Sequence, residues 1–211
     1  MAQHRARVRQ RGRTTTGRPP EAEPVGAKPA GAEPGDGEPA DAEPDPESVA
    51  RSIALRRLAA APQTRAQLDD AMRRRGVADQ VRDRVLKRFA DVGLIDDAMF
   101  AQAWVESRHA GRGLAKRALA FELRRRGVEP AVVDQAVARL PFEQEEATAR
   151  ALVEARLAGT RALEPNARTR RLAGMLARKG YSPGLAFRVV RDALAGEGVS
   201  EDEMAEEPAG D

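Results

Sequence analysis

Leu119-Ala120-Phe121-Glu122-Leu123-Arg124-Arg125-Arg126-Gly127 is the stretch on which the fold turns, because the chain writes it three times. The other copies are Leu68 to Gly76, ending Arg73-Arg74-Arg75-Gly76, and Leu172 to Gly180, ending Arg178-Lys179-Gly180. The closing glycines stand 51 and 53 residues apart. Around each glycine the apolar residues keep matching offsets: Leu68, Leu119 and Leu172 eight before it, Met72, Leu123 and Leu176 four before it, Val81, Val132 and Leu185 five after it. A spacing of four is one face of a helix, and glycine suits the left-handed residue that ends one. Copies at a near-constant period predict a tandem array, in which stacked neighbours share the burial that no unit achieves alone.

Working outward from the copies, Ile53, Leu55 and Leu58 form an apolar stripe that ends before Pro62. Thr64 and Gln67 match a capping box, the hydroxyl taking one orphan amide and the amide side chain reaching back. Val81, Val85 and Phe89 recur every four residues, so one unit is three helices. The second unit opens with Asp96 or Asp97 as N-cap, continues through Phe100, Trp104 and Val105, and turns at Gly111-Arg112-Gly113. Pro130 fits the first turn of its last helix, with Val133, Ala136, Val137 and Leu140 inward. The third starts with a long helix from Glu143 to Leu157, and Ser182-Pro183 reads as an N-cap followed by proline at the first helical position. The prediction is an all-α, elongated tandem array of three three-helix repeats, over residues 48–95, 96–141 and 142–196. Residues 1–47 have a basic start followed by a Pro/Glu/Ala/Gly-rich run, and residues 197–211 are acidic. Neither holds enough apolar surface to offset ordering, so both tails are predicted to be disordered.

Charge is partitioned the same way. The net +3 of the 211 residues conceals 29 Lys or Arg against 17 Asp or Glu between residues 48 and 196, and seven acids with no base after residue 196. A basic helical body points to an anionic partner, nucleic acid or a nucleoprotein assembly. The absence of Cys removes disulfides, thiol nucleophiles and thiolate metal sites. His4 and His109 are isolated and make neither a metal site nor an acid/base pair. Asp69-Asp70, Asp96-Asp97 and Glu145-Glu146 are adjacent on helices and diverge by about 100°, which fits caps or solvated charge better than a catalytic pair. No catalytic residue, metal or cofactor is expected. Gly111-Arg112-Gly113 lacks the rest of a nucleotide-binding fingerprint. Without an apolar run near 18 residues or a secretory h-region, the expected location is cytoplasmic, with no membrane contact.

The candidate contacts are the cations. Arg73, Arg74, Arg124, Arg125, Arg178 and Lys179 sit at the repeated helix ends, and with Met72 inward the outward positions are Arg74, Arg125 and Arg178, one per unit. The competing reading is that cations at a helix C-terminus complement the macrodipole, worth about 0.3–1 kcal/mol each. Arg112, Lys116 and Arg117 form a second cluster before a middle helix, where helix-start amides suit a phosphate. Trp104 is expected in the core beside Phe100, and Tyr181 is a weak candidate for base stacking. The acidic tail from Glu197 onward suggests folding back on the basic body, against the plainer reading of a solubilising tail.

One segment carries a family resemblance. Val92-Gly93-Leu94-Ile95-Asp96-Asp97, then Phe100-Ala101, Gly113, Lys116-Arg117, and Glu122-Leu123-Arg124-Arg125-Arg126-Gly127-Val128 resemble the RecX family, bacterial regulators of the RecA recombinase, and the likeness extends over about Ser48 to Leu194. The chain departs from the family pattern at Leu94, where an aromatic is usual, and at Ala98-Met99, where a charged pair is usual. The resemblance implies a right-handed, curved array of three-helix units. It further implies docking along the groove of the RecA filament on single-stranded DNA, restraining ATP hydrolysis, strand exchange or filament growth. The implied partner is the RecA filament with the single-stranded or duplex DNA within it; weak direct DNA binding and a monomeric state are further expectations beside the resemblance. Two alternatives stand beside this reading. A helix-turn-helix protein is also built of short helices with Gly turns and would prefer one duplex sequence. A purely protein-binding scaffold would show little salt-dependent DNA binding.

Overall fold

The structure is a computed structural model, and it describes residues 45–199. Most of both tails lies outside the described residues. Among the described residues there are nine α-helices and no strand, in three consecutive sets of three. The first set is α1 (Pro46–Ala60), α2 (Arg65–Arg73) and α3 (Asp79–Asp91); the second is α4 (Asp97–Arg112), α5 (Lys116–Arg125) and α6 (Pro130–Ala138). The third is α7 (Phe142–Leu157), a 3-10 turn at Ala158–Thr160, α8 (Pro165–Arg178) and α9 (Pro183–Ala195). None of these helices is long and apolar enough to cross a membrane.

Each set closes on its own core. Leu68, Met72, Val85, Leu86 and Phe89 fill the first, Leu119, Leu123, Val133 and Leu140 the second, and Leu172, Leu176, Leu185, Val189 and Leu194 the third. A buried side chain of this size contributes roughly 1.5–3 kcal/mol, so the offset residues of the repeated stretch are the ones that hold each module. The extensively packed helix pairs all lie within a module.

Local signals act where the sequence places them. Thr64 and Gln67 form the capping box, Asp96 caps α4, Ser182 caps α9, and Pro130 and Pro183 open their helices. Gly76, Gly127 and Gly180 follow the middle helices with φ of 76°, 76° and 90°. Four features differ from the sequence reading. Leu55 is 45% exposed, and α1 instead buries Ala50 and Ala54, which let the helix approach its neighbours closely. Gly111 and Arg112 are helical, and α4 ends only at Gly113, which is left-handed. Phe100 and Trp104 are partly buried at the edge of the second core. At the ends, α1 is capped by Asp45 ahead of residue 48, and Val199 still packs on the third core.

The modules join by one device used twice. Thr64 Oγ1 at the start of α2 donates to Arg126 O at the end of α5, 2.7 Å away, and the amide of Ala115 at the start of α5 donates to Lys179 O at the end of α8, 2.9 Å away. An acid from the following module's first helix completes each joint: Asp97 Oδ1 accepts from Arg65 N at 2.9 Å, and Glu145 Oε1 from Lys116 N at 3.0 Å. The middle helices therefore abut head to tail, the negative end of one against the positive end of the next, which stabilises both termini. An ion cluster also braces the first module, where the buried Arg82 donates to Asp69, to the exposed Asp79 and to the Val77 carbonyl at 2.7–2.9 Å.

Candidate functional site

A groove lined by four arginines recurs between the first and middle helices of each module. In the first module Arg56 and Arg57 from α1 face Arg74 and Arg75 at the end of α2, around about 320 Å³. In the second, Arg108 and Arg112 from α4 face Arg125 and Arg126 at the end of α5, around about 420 Å³, with Gln67, Trp104 and Glu122. In the third, Arg156 of α7 faces Arg170, Arg171 and Arg178 of α8, around about 410 Å³. The grooves recur because each middle helix ends in its basic run while the first helix beside it carries arginine on the facing side.

Their charge is poorly compensated. In the first groove Arg74 lies 3.6 Å from Asp70, and in the second Arg108 and Arg112 lie 3.7 and 3.8 Å from Glu122. Among the described residues no carboxylate forms a salt bridge with Arg56, Arg75, Arg125, Arg126, Arg156, Arg170, Arg171 or Arg178. Burial, and then the neighbouring Arg108 charge, hold the Arg126 guanidinium below its ordinary value. An anion entering the groove relieves that repulsion, so the site is set for phosphate or carboxylate groups.

The predicted contacts divide accordingly. Arg74, Arg112, Arg125 and Arg178 line the grooves. Arg73 pairs with Asp70 and Arg124 with Asp134 at 3.1 Å, both outside the groove linings. Lys179 spends its ammonium on the Arg112 carbonyl, 2.6 Å away, closing the end of α4. Lys116 and Arg117 begin α5, where Glu145 Oε1 accepts from the first amide and so occupies one of the helix-start donors. Tyr181 is buried and donates to the Gly113 carbonyl at 3.1 Å, which rules out stacking. His109 is buried between the Leu114 carbonyl and the Thr148 hydroxyl, 2.9 Å from each. Arg56, Arg57, Arg75, Arg108, Arg126, Arg156, Arg170 and Arg171 escaped the sequence reading. Their signal was a basic residue on the first helix, beside the core stripe of the middle one, or at the last place of the repeated run before its glycine.

Fold and site together define a modular protein that is all-helical among the described residues, built of tandem three-helix units with a cationic groove in each. Models of the RecX family match it module by module: the first three-helix domain at residues 50–89, the second at 96–137 and the third at 143–190. The chain is 58% identical to the regulatory protein RecX of Streptomyces lividans, over 77% of this chain and 87% of that one. It is 61% identical to that of Thermobifida fusca, over 72% and 83%. A crystal structure of RecX from Lactobacillus salivarius shares the fold with a TM-score of 0.67 at 16% identity, covering 72% of this chain and 98% of that one. The chain belongs to the RecX family and is a RecX-type regulatory protein.

Proposed function

We propose that this chain is a noncatalytic regulator that binds the RecA nucleoprotein filament and restrains its ATP hydrolysis, strand exchange or extension, in recombination and DNA repair. The observation that carries the reading is the recurrence of a four-arginine groove at the same place in every module of a RecX-family chain. A repeating ligand presents a repeating anion, and three equivalent cationic grooves suit a filament better than a single small molecule. The grooves take DNA phosphates or acidic protein surface, and so obstruct entry of a second duplex or addition of a protomer. No symmetric partner is needed, so the acting species is a monomer. The helix-turn-helix alternative asks for one distinguished recognition helix, whereas the cationic grooves recur between the first and middle helices of every module.

The test is RecA-dependent ATP hydrolysis and strand exchange with and without the purified chain. Inhibition is expected, relieved by charge reversal at Arg74, Arg125 and Arg178 together while helicity is kept. Inhibition at substoichiometric ratios marks end capping, and a need for near-stoichiometric protein marks groove filling. Failure of the intact chain to alter either activity, or preference for one duplex sequence without RecA, overturns the proposal.

A further inference from the structure

The second groove differs from the other two. Among the described residues it alone of the three is lined by an aromatic residue, the only tryptophan of the chain. The Arg126 guanidinium carbon stands 3.7 Å from the Trp104 ring centroid and that of Arg108 4.1 Å, so two like charges share one indole. Among the described residues Glu122 is the one carboxylate lining the groove, and its short bond goes to the indole, Trp104 Nε1 donating to Oε2 at 2.9 Å. Its oxygens stay 3.7 and 3.8 Å from Arg108 and Arg112, beyond hydrogen-bond length. The carboxylate thus orients the ring, and the ring carries the guanidiniums.

We infer that this groove is a phosphodiester-binding site, in which Trp104 and Glu122 are positioning residues that hold Arg108 and Arg126 for backbone phosphate, and in which no base stacks on the indole. Three observations point the same way. The guanidiniums already occupy the π-surface a base would need, while their in-plane N–H edges stay available to oxygen. The resident carboxylate does not close onto the arginines, which leaves their forks for a second anion. A tetrahedral phosphate accepts from several forks at once, whereas a planar carboxylate is matched by one. Gln67, reaching in from the first module, adds a neutral amide at the rim. The inference rests on the polyanion part of the proposed function and is independent of RecA, so each fails by its own assay.

Trp104 makes the test direct, because its fluorescence reports the groove alone. The full chain is titrated at low salt with short oligothymidylate, the same length of sugar-phosphate carrying tetrahydrofuran abasic units, poly-glutamate, and inorganic phosphate. Thymidylate and abasic strand are expected to perturb Trp104 with affinities within about twofold of each other, since the recognised groups are in the backbone. Poly-glutamate and inorganic phosphate are expected to bind at least about tenfold more weakly, lacking the tetrahedral repeat or the linked sites. Arg108→Gln with Arg126→Gln should weaken strand binding by at least about tenfold and make the salt slope shallower by roughly 0.7 for each phosphate no longer neutralised. Glu122→Gln, which keeps an acceptor for the indole and removes the charge, should tighten binding, whereas Glu122→Leu, which removes charge and acceptor alike, should bind more weakly than Glu122→Gln; equal binding by the two would mean that Glu122 acts through its charge alone and overturns its positioning role. Far-UV circular dichroism checks that each variant stays folded. Thymidylate binding without abasic binding assigns the groove to base stacking, equal binding of poly-glutamate assigns it to a protein partner, and saturation by inorganic phosphate at strand-like affinity assigns it to a free phosphate. Each of those results, or indifference to the double arginine change, overturns the inference.

Discussion

Gly127 meets Ala66 so closely that a Cβ on the glycine falls 2.3 Å from the alanine Cβ. At the second joint a Cβ on Gly180 falls 2.4 Å from the Ala118 amide nitrogen, whereas the equivalent Gly76 has nothing within 4 Å. One motif therefore carries a backbone requirement at all three places and a packing requirement at two.

Gly76→Ala is expected to cost only the left-handed backbone penalty, about 1–2 kcal/mol. Gly127→Ala and Gly180→Ala should add overpacking of about 1–3 kcal/mol. Urea unfolding of the three variants measures the difference. A Gly76 variant as destabilised as the other two would mean that the head-to-tail joints are not tight.

Asp97 gives a sharper test of the first joint. Burial pushes its carboxyl above the ordinary value of 3.8, against the opposing hydrogen bond from the Arg65 amide. A group raised on folding contributes stability that is full below its unfolded value and is lost as pH rises through the folded one. Near neutral pH the charge on Asp97 is thus a cost, while its oxygen is an asset. Asp97→Asn should be neutral or stabilising at pH 7, and Asp97→Ala should lose about 0.5–2 kcal/mol, as for a missing helix cap. Equal losses from the two substitutions would show that the charge, not the acceptor, holds the joint.

The helices and their cores were legible because Leu, Met and Val recur at helical spacing around each glycine, a local pattern that short-range physics enforces. The α1 core face was hidden because Ala50 and Ala54 give no strong hydrophobic signal, and what makes them core is the close approach of a neighbouring helix. The outward column of Arg74, Arg125 and Arg178 was readable from helical rotation alone. Its partners Arg56, Arg108 and Arg156 were not, since which side of a first helix faces the middle one is fixed by tertiary packing. Asp97 and Glu145 read as caps, yet the helices whose first amides they take belong to the preceding module, a pairing set by the joint.

The third module carries an acid-sensitive pair. Arg150, then Arg188, hold the Glu146 carboxyl below its ordinary value of 4.5, and Arg168 with Arg161 do the same for Glu197. Groups lowered on folding contribute stability that is full above the unfolded value and is lost as pH falls through the folded one. Stability should fall as pH drops below about 4.5, and Glu146→Gln with Glu197→Gln should flatten that decline while lowering stability at neutral pH. Denaturant midpoints across the acid range measure it. An unchanged acid limb would place the sensitivity in other carboxylates.

Tyr181 reports the second joint, because the chain has a single tyrosine and no other phenol contributes to its titration. The ring is 1% exposed, and its hydroxyl donates to the Gly113 carbonyl, spanning from the end of α8 to the end of α4. Burial, and then the Glu145 charge, push the phenol from its ordinary value of 10 up to about 12. The folded value is raised, so the stability this group contributes is full below pH 10 and drains as pH rises toward 12. Phenolate absorbance of the native chain should therefore appear only near pH 12, and in denaturant near pH 10. Tyr181→Phe abolishes the signal, leaves the Gly113 carbonyl without this donor, and should cost about 1 kcal/mol. A native phenol that titrates near pH 10 would mean that water reaches the joint, and with it that α5 and α8 are not held end to end.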